Sequence, residues 1–278
     1  MTFGILGLGL IGASMAKTIK VNINAKIAGF DIDEQVLKTA LEDDVIDEVL
    51  SEKSLSKCDV IIIALCPKAT VDFIKKQRKH FKNGALVLDI CGVKSAVLEP
   101  IEELVKESSF IFIGGHPMAG TENSGYEFSS PTLFCGSSMI LTPFKWTKSD
   151  EVEQAKALFL SLGFGEIKIT TASEHDRIIA FTSQLAHIVS NAYVKSPTAQ
   201  LHHGFSAGSY RDLTRVARLN EDMWTELFLE NSTPLAVEID NLCEQLKQYS
   251  DAIKSGDEQA LKQLLKNGRE IKEQVDKI

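Results

Sequence analysis

Short apolar runs alternate with amphipathic stretches over roughly the first 170 residues of the chain. The runs Phe3–Leu6, Lys26–Phe30, Val60–Leu65, Ala85–Ile90, Phe110–Ile113, Ser138–Leu141 and Glu166–Thr170 predict strands. Most are apolar throughout, as a strand must be when both faces of a parallel sheet are covered. Between them, Ile11–Ile19, Asp33–Glu42, Thr70–His80, Ser95–Val105 and Asp150–Leu162 repeat apolar residues every three or four positions and predict helices. That alternation implies right-handed βαβ units and an α/β, Rossmann-type, doubly wound sheet.

Beyond Thr171 the strand pattern stops. Ser173, with Asp176 three residues on, predicts a helix start, and the helix is expected to run to Ser196, before Pro197. Apolar residues at 235, 239, 242, 246, 249 and 253 alternate steps of four and three, a heptad-like stripe. A last helix carries Leu261, Leu264, Leu265, Ile271, Val275 and Ile278. The expected division is a sheet domain over 1–171 and an all-α domain over 172–278. Two long amphipathic helices need cover, and a homodimer built by the C-terminal half is expected.

A glycine pattern specifies what the sheet domain holds. Gly7, Gly9 and Gly12 form GxGxxG directly after the first strand and open a helix. In that setting Gly7 permits the turn, Gly9 admits a pyrophosphate to the backbone, and Gly12 allows helix to pack on strand. The first helical amides, at Leu10 and Ile11, would meet the phosphates. Asp31 ends the second strand, where a carboxylate bonds the ribose hydroxyls and repels a 2′-phosphate, so NAD is expected over NADP. The competing role for Asp31 is a loop or helix cap. Leu65, Cys66, Cys91 and Gly92, at the ends of later strands, are expected to complete the cofactor site.

Composition limits the alternatives. The net charge of −8 offers no general basic surface for nucleic acid or anionic membranes. The longest apolar run, Val60–Cys66, is far too short to span a bilayer. A strand starting at Phe3 leaves no room for a cleaved signal peptide. The five cysteines are scattered without CxxC spacing, which fits a reducing cytoplasm and neither a zinc site nor a disulfide framework. No metal set is expected; His202 and His203 are adjacent, and nothing nearby completes them.

His116 is the histidine placed for chemistry. It follows the fifth long strand, where ligands of open α/β sheets bind, and Pro117 keeps it out of helical geometry. The backbone around it, past the end of the apolar run, is expected to be irregular; the plain alternative for the residue is a histidine capping a loop. His80 and His175 read as exposed. Gln184, His187 and Asn191 share one helix face, which either lines a wet cleft or pairs with another helix. Arg211, Arg215 and Arg218 follow the flexible Gly204–Gly208 segment, and a guanidinium there is a natural carboxylate clamp. Arg218 reads as solvated.

Taken together, GLGLIGAS with Asp31, then HPMAGTENSG, TSQLAH and RDLTRVA, in that order, resemble the prephenate/arogenate dehydrogenases of tyrosine biosynthesis over essentially the whole chain. HPMAG with RDLTR is the specific part; the glycine pattern carries the fold alone. The resemblance implies a nucleotide-binding domain followed by a helical dimerisation domain, in the stand-alone form without a mutase or regulatory domain. It implies NAD-dependent oxidative decarboxylation of prephenate to 4-hydroxyphenylpyruvate, with arogenate as the other substrate. By the same resemblance His116 engages the ring hydroxyl, Arg215 binds a carboxylate, and His187 lies near the substrate side chain. Ser183, Gln184 and Gly208 belong to the substrate site, and Glu122 and Asp212 stand around its entrance.

One departure stands out. Many relatives carry DxGSxK after the fourth strand, with the serine hydrogen-bonded to the catalytic histidine. Here the segment is Asp89-Ile90-Cys91-Gly92-Val93-Lys94, and Gly92 stands at the serine position. The hydroxyl's part passes to Cys91, Ser95 or water, or is lost. A non-catalytic NAD-binding sensor, or another Rossmann dehydrogenase with a helical dimer domain, is the alternative reading.

Overall fold

Ile5, Ile62 and Leu88 point to one side of a sheet, and Leu6, Ile61, Ile63 and Val87 to the other, each set in its own buried apolar cluster. Successive strand residues face opposite ways, so continuous apolar runs require cover on both sides, and helices supply it. The computed structural model describes residues 1–277; Ile278, which closes the C-terminal stripe in sequence, lies outside the described residues.

The strands are β1 (Thr2–Leu6), β2 (Lys26–Phe30), β3 (Glu48–Val49), β4 (Val60–Ile63), β5 (Leu86–Asp89), β6 (Ile111–Pro117), β7 (Ser138–Pro143) and β8 (Glu166–Ile169). They form one sheet in the order β3-β2-β1-β4-β5-β6-β7-β8. Every neighbouring pair is parallel except β6 and β7. The alternation therefore predicted the sheet, but not the reversed direction of β7 or the two-residue β3. The connections between the strands carry α1 (Leu10–Asn22), α2 (Glu34–Glu42), α3 (Glu52–Leu55), α4 (Pro67–Gln77), α5 (Ser95–Leu98), α6 (Glu102–Val105) and α7 (Ser149–Ser161). The helix predicted over Ser95–Val105 is divided by a 3₁₀ turn at Glu99–Ile101, where Pro100 withholds an N–H.

β6 runs on through His116 to Pro117, so the expectation of irregular backbone there is corrected. Gly114 and Gly115 are strand residues, not loop residues. A Cβ on Gly114 would meet Thr142 Oγ1 at 2.4 Å, and one on Gly115 would meet Met139 Cε at 2.5 Å. β7 approaches too closely for any side chain at either position, and His116 pairs in register with Ile140.

After β8 the described residues contain helices only. α8 (Ala172–Ile179), a π-helical turn (Ala180–Leu185) and α9 (Ala186–Tyr193) form one run, followed by α10 (Gly208–Thr214) and α11 (Glu221–Glu230). Thr171 caps α8 by accepting from the Glu174 N–H, in place of the expected Ser173. By contact density the chain divides into Met1–Asn231 and a second unit from Ser232 onward. That second unit is the helical hairpin α12 (Ser232–Ser255) and α13 (Glu258–Val275). Its stripe is only partly covered: Leu246, Ile253, Leu265, Ile271 and Val275 are exposed. No helix among the described residues is long and apolar enough to cross a membrane.

Candidate active site

Because β1, β4, β5 and β6 are parallel, their carboxyl ends share one edge of the sheet. The chain passes from β1 to β2 and β3 on one side, then crosses from β3 to β4 on the other side of β1, which opens a crevice at that edge. The glycine turn fills the position. Gly7 has φ +82°, and a Cβ there would meet Ala64 O at 2.4 Å. A Cβ on Gly12 would stand 1.8 Å from Gly7 O, whereas at Gly9 it would meet nothing within 4 Å. The turn is thus closed on the sheet side and open above Gly9, where the first amides of α1 have no side-chain cap.

Asp31 is tied to this turn. Its Oδ2 accepts from the Leu8 N–H at 2.7 Å and its Oδ1 from the Asp33 N–H at 3.0 Å. The helix-cap alternative falls to Asp33, which accepts from Gln35 and Val36. An open glycine cradle at a helix start, with a half-exposed carboxylate beside it, fits a dinucleotide. Leu65 and Cys66 follow β4 at the same edge; Leu65 is half-buried and Cys66 is exposed.

His116, near the end of β6, is partly exposed. Its Nδ1 lies 2.8 Å from His175 Nε2, and His175 Nδ1 lies 2.7 Å from Asp176 Oδ1. His175 is buried, which corrects the expectation of an exposed first-turn residue. His175, Asp176 and Ile179 form the inward face of α8. Asp176 also accepts the backbone N–H groups of Lys94 and Ser95, both at 2.7 Å. The Lys94 ammonium is buried, pairs with Asp89 and donates to Gly115 O at 2.6 Å, one residue before His116.

These surroundings decide the charges. Burial, His175 and Lys94 all hold His116 well below the ordinary imidazole range, so it is neutral at physiological pH. Burial likewise lowers His175, although the bond to Asp176 pulls the other way. Burial alone would raise the Asp176 carboxyl; the bonds from His175, Ser95 and Lys94 outweigh it and keep Asp176 ionised.

Cys91 does not take over the missing hydroxyl. Its buried thiol donates to Leu65 O at 3.0 Å and stands 3.3 Å from Thr70 Oγ1. Burial, reinforced by Asp89, pushes it up and keeps it protonated. At Gly92 the position is open: an added Cβ would lie 3.9 Å from His116 Nε2 and 3.6 Å from Leu227 Cδ2.

The helical predictions divide. His187 is half-buried against Trp224, with ring centroids 4.1 Å apart, and its Nδ1 meets Ser183 O at 2.8 Å. A carbonyl only accepts, so Nδ1 carries the proton and a neutral ring leaves Nε2 free. Gln184 is buried instead of facing a ligand. It donates to Leu227 O at 3.1 Å and accepts from Asn231 at 2.7 Å, which spends its amide on holding α11. Asn191 donates to Ala217 O at 3.0 Å, securing the stretch after Arg215. Arg215, exposed, stands 3.8 Å from Glu122. Gly208 and Asp212 lie on α10 with Arg211, and α10 ends before Arg218. A cavity of about 870 Å³ lined by Tyr193, Leu201, His202, Phe205, Tyr210 and Leu213 includes none of the predicted ligand residues; Ser209, the neighbour of Gly208, also lines it. Sequence reasoning missed His175, Asp176, Lys94 and Trp224. Only the i, i+4 spacing of His175 and Ile179 hinted at burial of the first.

An open α/β sheet with a dinucleotide cradle, and an uncharged histidine at the same edge, defines a nicotinamide-dependent oxidoreductase. Comparison with known proteins narrows this. Family models described as the nucleotide-binding domain and the dimerization domain of prephenate dehydrogenase match residues 15–167 and 171–267. The chain belongs to the prephenate dehydrogenase family. It is 31% identical to the prephenate dehydrogenase of Lactococcus lactis, over 98% of this chain and 77% of that protein. Its identity to the cyclohexadienyl dehydrogenase of Zymomonas mobilis is 29%, over 91% of this chain and 88% of the relative. A crystal structure of prephenate dehydrogenase from A. aeolicus, in complex with hydroxyphenyl propionate and NAD⁺, superposes with a TM-score of 0.85. It shares 27% identity, covering 99% of this chain and 98% of that one.

Proposed function

We propose that the protein oxidises and decarboxylates prephenate to 4-hydroxyphenylpyruvate with NAD. Prephenate is a cyclohexadienol with a ring carboxylate and a pyruvyl side chain. NAD⁺, when bound, would supply the hydride acceptor for the hydroxyl-bearing ring carbon, and loss of CO₂ would then make the ring aromatic. The observation that carries the reading is His116 itself. A neutral imidazole at the cofactor edge of the sheet, with Nε2 toward the open position at Gly92, is a general base for the ring hydroxyl.

Arg215 is the proposed carboxylate clamp, drawn from Glu122 when a dianionic substrate arrives, with Asp212 and Gly208 nearby on α10. His187 and Ser183 are assigned to the side-chain end of the substrate, where Trp224 forms an apolar wall. Gly7, Gly9, Leu10, Ile11 and Gly12 hold the pyrophosphate and Asp31 the ribose, with Leu65, Cys66, Cys91 and Gly92 lining the nicotinamide side. The uncovered stripe of the α12–α13 hairpin is the surface a second copy covers in a homodimer. Unpaired cysteines among the described residues suit a reducing cytoplasm.

The test is the near-ultraviolet absorbance of reduced nicotinamide with purified protein, NAD⁺ or NADP⁺, and prephenate or arogenate. A rise with NAD⁺ and prephenate is expected. A rise only with arogenate moves the substrate, one only with NADP⁺ removes the Asp31 assignment, and silence in all four mixtures overturns the activity.

A further inference from the structure

The partners of His116 fix more than its position. Asp176 receives three donors: Oδ1 takes the Lys94 N–H and His175 Nδ1, and Oδ2 takes the Ser95 N–H. An ionised carboxylate only accepts, so the proton of that last contact sits on His175 Nδ1. A neutral His175 then has a bare Nε2, which can only accept. His116 Nδ1, 2.8 Å away, must therefore be the donor, and its own Nε2 is left bare. The opposite arrangement requires a doubly protonated His175, and burial together with the buried Lys94 ammonium opposes that cation. The ring planes are tilted by 60° at a centroid distance of 5.1 Å, an edge contact suited to a hydrogen bond and not a stack.

We infer that Asp176 and His175 are positioning residues that hold His116 as its Nδ1–H tautomer, so that Nε2 alone takes the substrate's hydroxyl proton. The inference rests on His116 being the base. It also accounts for Gly92: with no side chain there to orient the imidazole from the Nε2 side, orientation comes from the Nδ1 side. The line is anchored at its far end, because Asn231 donates to Asp176 O at 2.9 Å while the carboxylate caps the segment after β5. Protons balance: the hydroxyl proton goes to His116 Nε2 and makes an imidazolium. Its Nδ1–H stays hydrogen-bonded to His175, which Asp176 polarises. The carboxylate remains ionised throughout.

Three measurements on the full-length protein test this. In ¹⁵N-labelled protein, long-range ¹H–¹⁵N correlations of the imidazoles at pH 7.5 should show His116 protonated at Nδ1 and bare at Nε2. His175→Leu, which removes the acceptor at similar volume, should lose that signature and lower kcat on the order of a hundredfold or more, with KM changed less than about threefold. His175→Gln keeps an acceptor oxygen for Nδ1–H and should recover most of the loss. A wild-type His116 bare at Nδ1, or equal kcat in the leucine and glutamine variants, overturns the inference, and the first readout holds even if the leucine variant does not fold. His116→Asn separates the two levels: near-normal turnover there removes the base assignment itself. Collapse in His116→Asn with an unaffected His175→Leu removes only the role of the line.

Discussion

A Cβ on Gly92 would stand 3.9 Å from His116 Nε2, the nitrogen left bare by the contact with His175. Leu227 Cδ2, at 3.6 Å, leaves ordinary van der Waals clearance, and Gly92 has no positive φ to protect. Gly92→Ser is therefore expected to fold with a melting midpoint within about 2 °C of the parent. Its hydroxyl would reach Nε2 and orient the ring from the other side. Turnover of Gly92→Ser/His175→Leu should exceed that of His175→Leu; equal rates would mean that the glycine has no bearing on the imidazole.

His116→Asn should lower turnover by roughly 10²–10⁴-fold, the range that a general base contributes. NAD⁺ affinity, followed by quenching of protein fluorescence, should stay within about twofold, because the glycine turn and Asp31 lie on other strands.

The pH dependence follows from the lowered imidazoles. The base is neutral until the pH falls well below 6.5, so the acid limb of kcat/KM should lie below that value. Stability has the same sign. The unfolded chain binds protons at His116 and His175 that the folded chain refuses, so the stabilisation is complete above about 6.5 and declines as pH falls below it. Asp176 adds a second loss at lower pH, once its depressed carboxyl is protonated. Urea midpoints measured from pH 8 to 5 should fall through this window, and less steeply in His175→Gln; a flat profile would contradict the buried neutral pair.

Arg215→Ala should act on substrate binding alone. Its ion pair with Glu122 is exposed and 3.8 Å long, so its loss should change stability by less than about 1 kcal/mol. KM for the dianionic substrate should rise about 10–100-fold, as loss of a charged hydrogen bond predicts. An unchanged KM would move the clamp to another residue, with Arg211 on α10 the first to examine.

Lys94→Met should be costly. The ammonium is fully buried against Asp89 and Gly115 O, and removing one member of such a pair strands the other, at about 3–5 kcal/mol. Denaturant unfolding measures this directly. A loss below about 1 kcal/mol would mean that water reaches Asp89 in the variant.

Much of this molecule was legible in its residues. Seven apolar runs marked seven of the eight strands, and the glycine spacing with Asp31 located the cradle, because both patterns report local geometry. Where the sequence failed, the cause was tertiary. The strand predicted over Phe110–Ile113 stopped short of Gly114 and Gly115 because only the approach of β7 shows why they lack side chains. His175 read as exposed because its burial depends on Lys94 and Ser95, about eighty residues earlier, meeting Asp176. Gln184 carried the right polarity for a ligand residue, yet spends it on Leu227 and Asn231, a pairing that no spacing along one helix reveals.

The π turn at Ala180–Leu185 sits between His175 and His187. Such a turn holds one residue more than an α turn, and each α-helical residue rotates the chain by roughly 100°. The angular offset between the two imidazoles, one toward the sheet and one toward Trp224, is thus stored as a count of residues. A one-residue deletion in that turn would let the helix close regularly and swing one histidine away from its neighbours, with every side chain of both constellations still encoded. Within this helix, length polymorphism is a more severe change than most substitutions, and a natural variant should be judged first by whether its spacing from His175 to His187 is kept.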